Sequence, residues 1–265
     1  MPDGTFFVLG IDAATFGIIC PNLRRLKNFE KLLRIGKSKE LILEEIPISP
    51  SVWCGMFSGK LPEEHNHKSY VVNGKIRVRE DINVEFVWDI LTKQGRDIRA
   101  INVPFVVPPY SFKSDFTPIG FGLPTTEKEW EEELEKVTKY AKELLVEKPD
   151  ALIVVYTLLD RIQHFHWGDK CVVDWYQKLD EKLGELLFDT GFLSNDQNHL
   201  IIISDHGFCS FGEAKVKTLP EETGYGKLKG DHSERAMLIT VNVTHNINRP
   251  QDVFFAVKNG INNLS

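Results

Sequence analysis

LIIISDHGF, residues 200–208, runs four aliphatic side chains straight into Ser204, Asp205, His206 and Gly207. A strand that is apolar on both faces belongs inside a sheet covered on both sides, as parallel α/β sheets are. Taken alone, Asp and Gly after a strand are turn chemistry. The reading changes only if other strands bring ligands to the same place. In doubly wound α/β sheets functional residues gather beyond the carboxyl ends of the strands, so those ends are where they are sought.

Further aliphatic runs lie at residues 6–11, 41–44, 97–103, 151–156 and 236–241, with amphipathic stretches between them. Pro21 is expected to start a helix with Leu23, Leu26, Phe29, Leu32 and Leu33 on one face. Thr126 and Glu129 form a capping-box pattern ahead of Trp130, Leu134, Val137, Ala141, Leu144 and Leu145. Trp175, Leu179, Leu183, Leu186 and Leu187 mark a third helix. This alternation predicts an α/β fold, a three-layer α/β/α sandwich around a mostly parallel central sheet. No repeat, low-complexity tract or linker divides the chain, so residues 1–265 are read as one domain. Residues 65–85 are expected to be a polar loop with a hairpin turning at Asn73-Gly74. Residues 104–125 are a Pro- and Phe-rich excursion without period.

The chain has 265 residues and a formal net charge of −6, which leaves no nucleic-acid footprint in its composition. Its four cysteines lack metal-ribbon or redox spacing. The N-terminus passes directly into a strand-like run, and no apolar window is long enough to span a bilayer. The expectation is a soluble, cytoplasmic protein without a membrane segment; oligomeric state is not legible.

FFVLGID ends at Asp12. ALIVVYTLLD is read as a strand ending around Asp160, with His164 four residues on. LIIIS ends at Asp205-His206, and GDHSERAMLI carries His232 just before the last main strand. Singly, Asp12 reads as a cap and Asp160/His164 as a surface pair. Together they make two clusters of oxygen and nitrogen ligands suited to borderline divalent metals such as zinc. In PISPSVWCGMFSGKLPEEH, residues 47–65, Ser49 before Pro50 reads as a helix N-cap, with Trp53, Met56 and Phe57 on a buried face. A hydroxyl there is also placed as a nucleophile towards an anion held by the helix N-terminus. The two roles compete for one hydroxyl, and the sequence leaves both open.

Five blocks in order, VLGIDAATF, PISPSVWCGMFSGKLPEEH, LLDRIQHFHWGD, ISDHGF and GDHSERAMLI, span residues 8–239. They resemble the type I phosphodiesterase/nucleotide pyrophosphatase branch of the alkaline phosphatase superfamily. The resemblance implies an alkaline phosphatase-like fold with a minimal or absent cap domain, and a metal-dependent hydrolase of a small phosphate ester. A phosphodiesterase or nucleotide pyrophosphatase is the first expectation and a phosphomonoesterase the alternative; a phosphotransferase or a non-catalytic binding protein ranks behind both. Carried over by position, it implies Asp12, Asp205 and His206 around one divalent ion. The resemblance also implies Ser49 as the nucleophile, bridging towards that ion and passing through a phosphoserine intermediate. Asp160, His164 and His232 are implied around a second ion. Zn2+ is the first expectation for both ions and Mn2+ the second. His166 is expected at the rim, His65 in a structural role, and Lys60 and Lys68 as solvated lysines near the mouth. One departure stands out: counted without gaps, Tyr70 falls where eukaryotic nucleotide pyrophosphatases place a phosphate-binding asparagine.

Overall fold

The computed structural model of the chain describes residues 4–104, 116–117, 125–224 and 226–263. The first half contains β1 (Phe6–Ile11), α1 (Phe16–Ile19), α2 (Lys27–Ile35), β2 (Lys37–Ile42), α3 (Ser49–Ser58) and α4 (Pro62–His65). It continues with β3 (Val71–Val72), β4 (Lys75–Ile76), α5 (Val87–Lys93) and β5 (Ile98–Ile101). Next come α6 (Glu127–Val146), β6 (Ala151–Tyr156), α7 (Leu158–His166), α8 (Lys170–Gly184) and β7 (His199–Ile203). The chain closes with β8 (Gly207–Ser210), β9 (Glu222–Thr223), β10 (Gly226–Lys227), β11 (Gly230–Ser233), β12 (Arg235–Val241) and α9 (Asp252–Asn263). Most of residues 104–125 lie outside the described residues.

Six strands form one sheet in the order β2-β12-β7-β1-β6-β5. β7, β1, β6 and β5 run parallel, while β12 pairs antiparallel with both β7 and β2. Side chains alternate across β1 as strand geometry requires. Phe7, Leu9 and Ile11 pack under α2, α6, α7 and α8, and Phe6 and Val8 pack under α3, α5 and α9. Both faces are therefore covered, which is why the inner strands can be apolar throughout. β2, at the edge, is mostly exposed, and its Lys37 and Lys39 are the charges that discourage pairing with another chain. Among the described residues no helix is long and apolar enough to cross a membrane.

The capping box is present: Thr126 accepts from Glu129 N at 3.2 Å, and Glu129 accepts from Thr126 N at 3.0 Å. The hairpin is also found, with β3 paired to β4 and both Asn73 and Gly74 at positive φ, the pair a type I′ turn requires. Three expectations need correction. The helix expected from Pro21 is a single 3-10 turn, Cys20–Asn22, and α2 begins only at Lys27. Its start is set from outside, because the Asp180 carboxylate on α8 accepts from Asn28 N at 3.0 Å and Phe29 N at 2.7 Å. The strand expected at 41–44 lies mainly earlier, where the backbone pairs with β12. Asp160 is not at a strand end: β6 stops at Tyr156, and Asp160 lies in the first turn of α7.

Candidate active site

β1 and β7 are parallel neighbours, so the residues that follow them emerge side by side at the carboxyl end of the sheet. Asp12 follows β1 and is anchored by its own N–H to Tyr156 O at 2.8 Å. Ala13 then takes a positive φ of 63°, a conformation that costs a non-glycine residue on the order of 1 kcal/mol. That turn lets Ala13 N donate to Asp205 Oδ1 at 3.2 Å, while Gln163 Nε2 holds Ala13 O at 2.9 Å. Asp205 and His206 follow β7, and both are fully buried.

Ser49 is not the N-cap of α3. Ile48 holds that position, and its carbonyl accepts from Ser51 N at 3.0 Å and Val52 N at 3.1 Å. The Ser49 hydroxyl is thereby released from capping. It lies 3.2 Å from His206 Nε2 and 3.5 Å from Asp12 Oδ1. His206 Nε2 is in turn 3.3 Å from Asp205 Oδ2 and 3.6 Å from Asp12 Oδ1. Trp53 Nε1, one turn along α3, donates to Asp12 Oδ2 at 3.4 Å.

Asp160 and His164 are buried four residues apart on α7 and face inward, so the surface-pair reading fails. Asp160 Oδ1 lies 3.2 Å from His164 Nε2 and 3.2 Å from His232 Nε2. His232 is delivered by β11, which is paired with β8 directly behind His206. Its ring stacks on His206 with 3.8 Å between centroids, so the two clusters form one contiguous site.

The imidazoles all point the same way. Nδ1 of His164 faces Gly230 O at 3.1 Å, that of His206 faces Gly207 O at 3.0 Å, and that of His232 faces Pro47 O at 2.6 Å. A carbonyl oxygen only accepts, so Nδ1 carries the proton in each ring. With Nδ1 so held, each ring turns Nε2 into the site. His164 Nε2 and His232 Nε2 stand 3.0 Å apart, a contact two lone pairs make only with a proton or cation between them. Asp160 Oδ1 and Asp205 Oδ2 are buried without a hydrogen-bond partner in good geometry.

The electrostatics express the same demand for positive charge. Burial, then the charges of Asp205 and Asp160, hold the Asp12 carboxyl well above its usual range. Burial and Asp160 push Asp205 up to about 6. Burial holds His206 well below the ordinary imidazole value. Burial also disfavours charge on His232, but the hydrogen bond and charge of Asp160 outweigh it and raise its proton affinity. Such donor sets, with each ring fixed by a second hydrogen bond, are built to hold divalent cations. Among the described residues three groups have ligand atoms within 4.8 Å of one another: Asp12, Asp205 and His206, and Asp160, His206 and His232, both in this site, and His166, Asp169 and Cys171 outside it.

The other singled-out residues lie outside this constellation. His166 is partly exposed and pairs with Asp169 at 3.4 Å. His65 is buried and accepts from His67 N at 3.0 Å, with burial lowering its pKa to about 4. Lys60 is tied to Glu64 at 2.9 Å, and Lys68 lines a surface groove with Ser69, Lys75 and Arg77. Trp53 and Gln163 are supports that sequence reasoning did not single out for the site. Both sit inside apolar-periodic helices, where a polar edge leaves no separate signal.

A model of the type I phosphodiesterase / nucleotide pyrophosphatase family matches residues 6–263. No match was found among curated protein sequences. Among solved structures the chain is similar to murine ectonucleotide pyrophosphatase/phosphodiesterase 5, determined as an inactive variant in complex with AMP. The TM-score is 0.68 at 12% identity, over 98% of this chain and 95% of that one. It is also similar to phosphonoacetate hydrolase from Sinorhizobium meliloti 1021 in complex with phosphonoformate. There the TM-score is 0.59 at 13% identity, over 79% of this chain and 57% of that one. At such identities the likeness is one of fold, the alkaline phosphatase-like α/β sandwich, and no large cap is evident among the described residues.

Proposed function

We propose, on the premise that the chain belongs to the type I phosphodiesterase / nucleotide pyrophosphatase family, that it hydrolyses a small phosphodiester or pyrophosphate with Ser49 as nucleophile and two divalent cations. The observation that carries this reading is the set of inward Nε2 atoms of His164, His206 and His232, each with Nδ1 on a carbonyl. They stand among carboxylates that lack enough donors. Asp12, Asp205 and His206 are assigned to one ion, with Ser49 bridging to it, and Asp160, His164 and His232 to the other. Three imidazoles and three carboxylates favour Zn2+, with Mn2+ the second choice. Bound there, the ions supply Lewis acidity that lowers the pKa of a hydroxyl and stabilises charge on phosphoryl oxygens.

The chain's own groups provide the rest. Ser49 Oγ forms the bond to phosphorus as the leaving-group oxygen departs in line, and water then cleaves the phosphoserine. Asp12 Oδ1 accepts the hydrogen bond of the Ser49 hydroxyl and keeps Oγ aimed out of α3. The N-terminal end of α3 adds the positive potential of its helix dipole where phosphoryl charge builds.

Ser49→Ala tests the assignment. Turnover of bis(p-nitrophenyl) phosphate is expected to fall at least about 1000-fold. Metal content by atomic emission is expected to stay near wild type, because six protein ligands remain. Activity surviving at the wild-type level would remove Ser49 from the reaction. A strong preference for p-nitrophenyl phosphate over the diester would turn the reading to a phosphomonoesterase.

A further inference from the structure

Two serines flank Pro50 at the start of α3, and the structure treats them differently. Ser49 Oγ faces His206 and Asp12. Ser51 is buried, and its Oγ donates to Glu45 Oε2 at 2.8 Å. The other carboxylate oxygen of Glu45 accepts from Gln251 Nε2 at 2.7 Å. Gln251 is itself buried and reaches Glu45 past Gly55, where a Cβ would come within 3.1 Å of Gln251 Nε2 and 3.0 Å of Lys60 O. Glu45 is thus held by both oxygens, from the first turn of α3 and from the residue that precedes α9.

The segment that carries Glu45 also carries two parts of the site. It is fastened behind Glu45, where Leu43 N donates to Glu234 O at 2.8 Å. Ahead of Glu45, Ile48 N donates to Ile46 O at 2.8 Å, which closes a three-residue turn centred on Pro47. Proline's ring supplies the φ that such a turn needs. The Pro47 carbonyl accepts from His232 Nδ1 at 2.6 Å, and Ser49 follows two residues on. Glu44 and Ile46 are exposed, so Glu45 is the side chain of this stretch that ties it inward.

We propose that Glu45 is a positioning residue for this site. Its carboxylate, clamped between Ser51 and Gln251, fixes the turn at Pro47, so that the Pro47 carbonyl orients the His232 ring and α3 presents Ser49. This rests on the two-cation hydrolase reading above and adds the support that holds two of its groups in place. The physical reason lies in the imidazole ligand. A fixed acceptor on Nδ1 sets the direction of Nε2, and loosening such an acceptor costs about 10- to 100-fold in metal affinity or activity. The same clamp commits the Ser51 hydroxyl elsewhere and leaves Ser49 as the serine that faces the ligands.

The test is zinc titration of the full chain against a competing chelator, with turnover of bis(p-nitrophenyl) phosphate and the metal-free Tm measured for each protein. Glu45→Ala is expected to weaken the zinc site that holds His232 about 10-fold and to leave the other within about 2-fold. Repeating the titration in an Asp205→Asn background, which impairs the other ion, shows which site has weakened. kcat is expected to fall about 10-fold at unchanged KM. Glu45→Gln keeps an acceptor for Gln251 and offers Ser51 a donor, so it recovers most of the affinity. Ser51→Ala and Gln251→Leu each remove one arm and are expected to weaken the same site about 3-fold; they decide the matter if Glu45→Ala does not fold. A lower Tm in Glu45→Ala with both zinc affinities and kcat at the wild-type level makes the clamp purely structural and overturns the proposal. Equal weakening of both sites is general loosening and also overturns it. The hydrolase reading fails separately, if wild type binds two zinc ions and turns over neither diester nor monoester; the one-site zinc loss then still upholds the clamp on His232. A wild type that takes up no zinc overturns both.

Discussion

Asp205 has one carboxylate oxygen that accepts from Ala13 N and another that is buried without a partner, in a site shared with Asp12 and Asp160. In the metal-free protein this is an uncompensated buried acceptor among like charges, and such groups destabilise a fold. Asp205→Asn removes the charge at nearly constant shape. The metal-free variant is therefore expected to be more stable than metal-free wild type, by on the order of 2 kcal/mol, while losing zinc affinity. Urea unfolding in the presence of a chelator, paired with zinc titration, checks both. A variant that is less stable without metal would mean Asp205 serves the fold rather than a cation. Gly207, next to this pair, shows what single residues conceal in a sequence. It reads as a turn glycine, yet its φ is not in the left-handed region. It is needed because a Cβ would come within 2.2 Å of Arg235 O and 2.6 Å of Ser233 Oγ. The glycine lets β8 lie close against the chain that carries His232, a long-range contact no local pattern announces.

At the scale of elements, the site depends on where α7 begins. Its N-cap, Thr157, makes no side-chain cap bond. The cap comes from α6, where the buried Glu133 accepts from Thr157 N at 2.5 Å and Thr157 Oγ1 at 3.1 Å. Glu133 also accepts from Asn102 Nδ2 at 3.0 Å. Burial outweighs these donors and raises its pKa from 4.5 to about 7. A carboxyl whose pKa is raised on folding stabilises the native state fully below the unfolded value. That contribution is lost as pH rises through the folded value. Between pH 4.5 and 7 the loss is about 3 kcal/mol, from 1.36 kcal/mol per pKa unit. Glu133→Gln is expected to flatten this dependence, so that wild type loses roughly that much more stability than the variant between pH 5 and pH 8. Urea titrations of both proteins at the two pH values, with chelator present, measure it; parallel curves would exclude Glu133 as the titrating group. The α6 face itself was legible, since Thr126, Glu129 and the apolar period sit within one window. That Glu133 caps a different helix was not, because it depends on α6 and β6 being neighbours.

At the scale of the molecule, the ends of β1 and β7 were legible because their aliphatic runs stop close to Asp12 and Asp205. The end of β6 was not, because the apolar run continues past Tyr156 into α7. The three layers were legible because β1 and β6 are apolar and buried along their whole length, whereas strand order and register rest on pairings that no local pattern announces. The convergence of Asp12, Ser49, Asp160, His164, Asp205, His206 and His232 became legible only as an ordered set of blocks. No pairwise spacing encodes that His232, on β11, returns to stack on His206. That convergence has a thermodynamic consequence. The site joins chain segments from residue 12 to residue 232, and the unfolded chain cannot assemble it. Cations that bind only the native state stabilise it by RT ln(1 + [L]/Kd), about 2.7 kcal/mol for one site at 100 times Kd. For a chain of 265 residues that is a rise in Tm of about 5 °C per site. Chelation is therefore expected to lower the Tm of wild type, and added zinc to restore it in a concentration-dependent way. On the proposed assignment Asp160→Ala takes a ligand from one ion only, and it is expected to keep about half of the zinc-dependent shift. A Tm that ignores both chelator and zinc, or an Asp160→Ala protein with the full shift, would break the link between these seven residues and two cations.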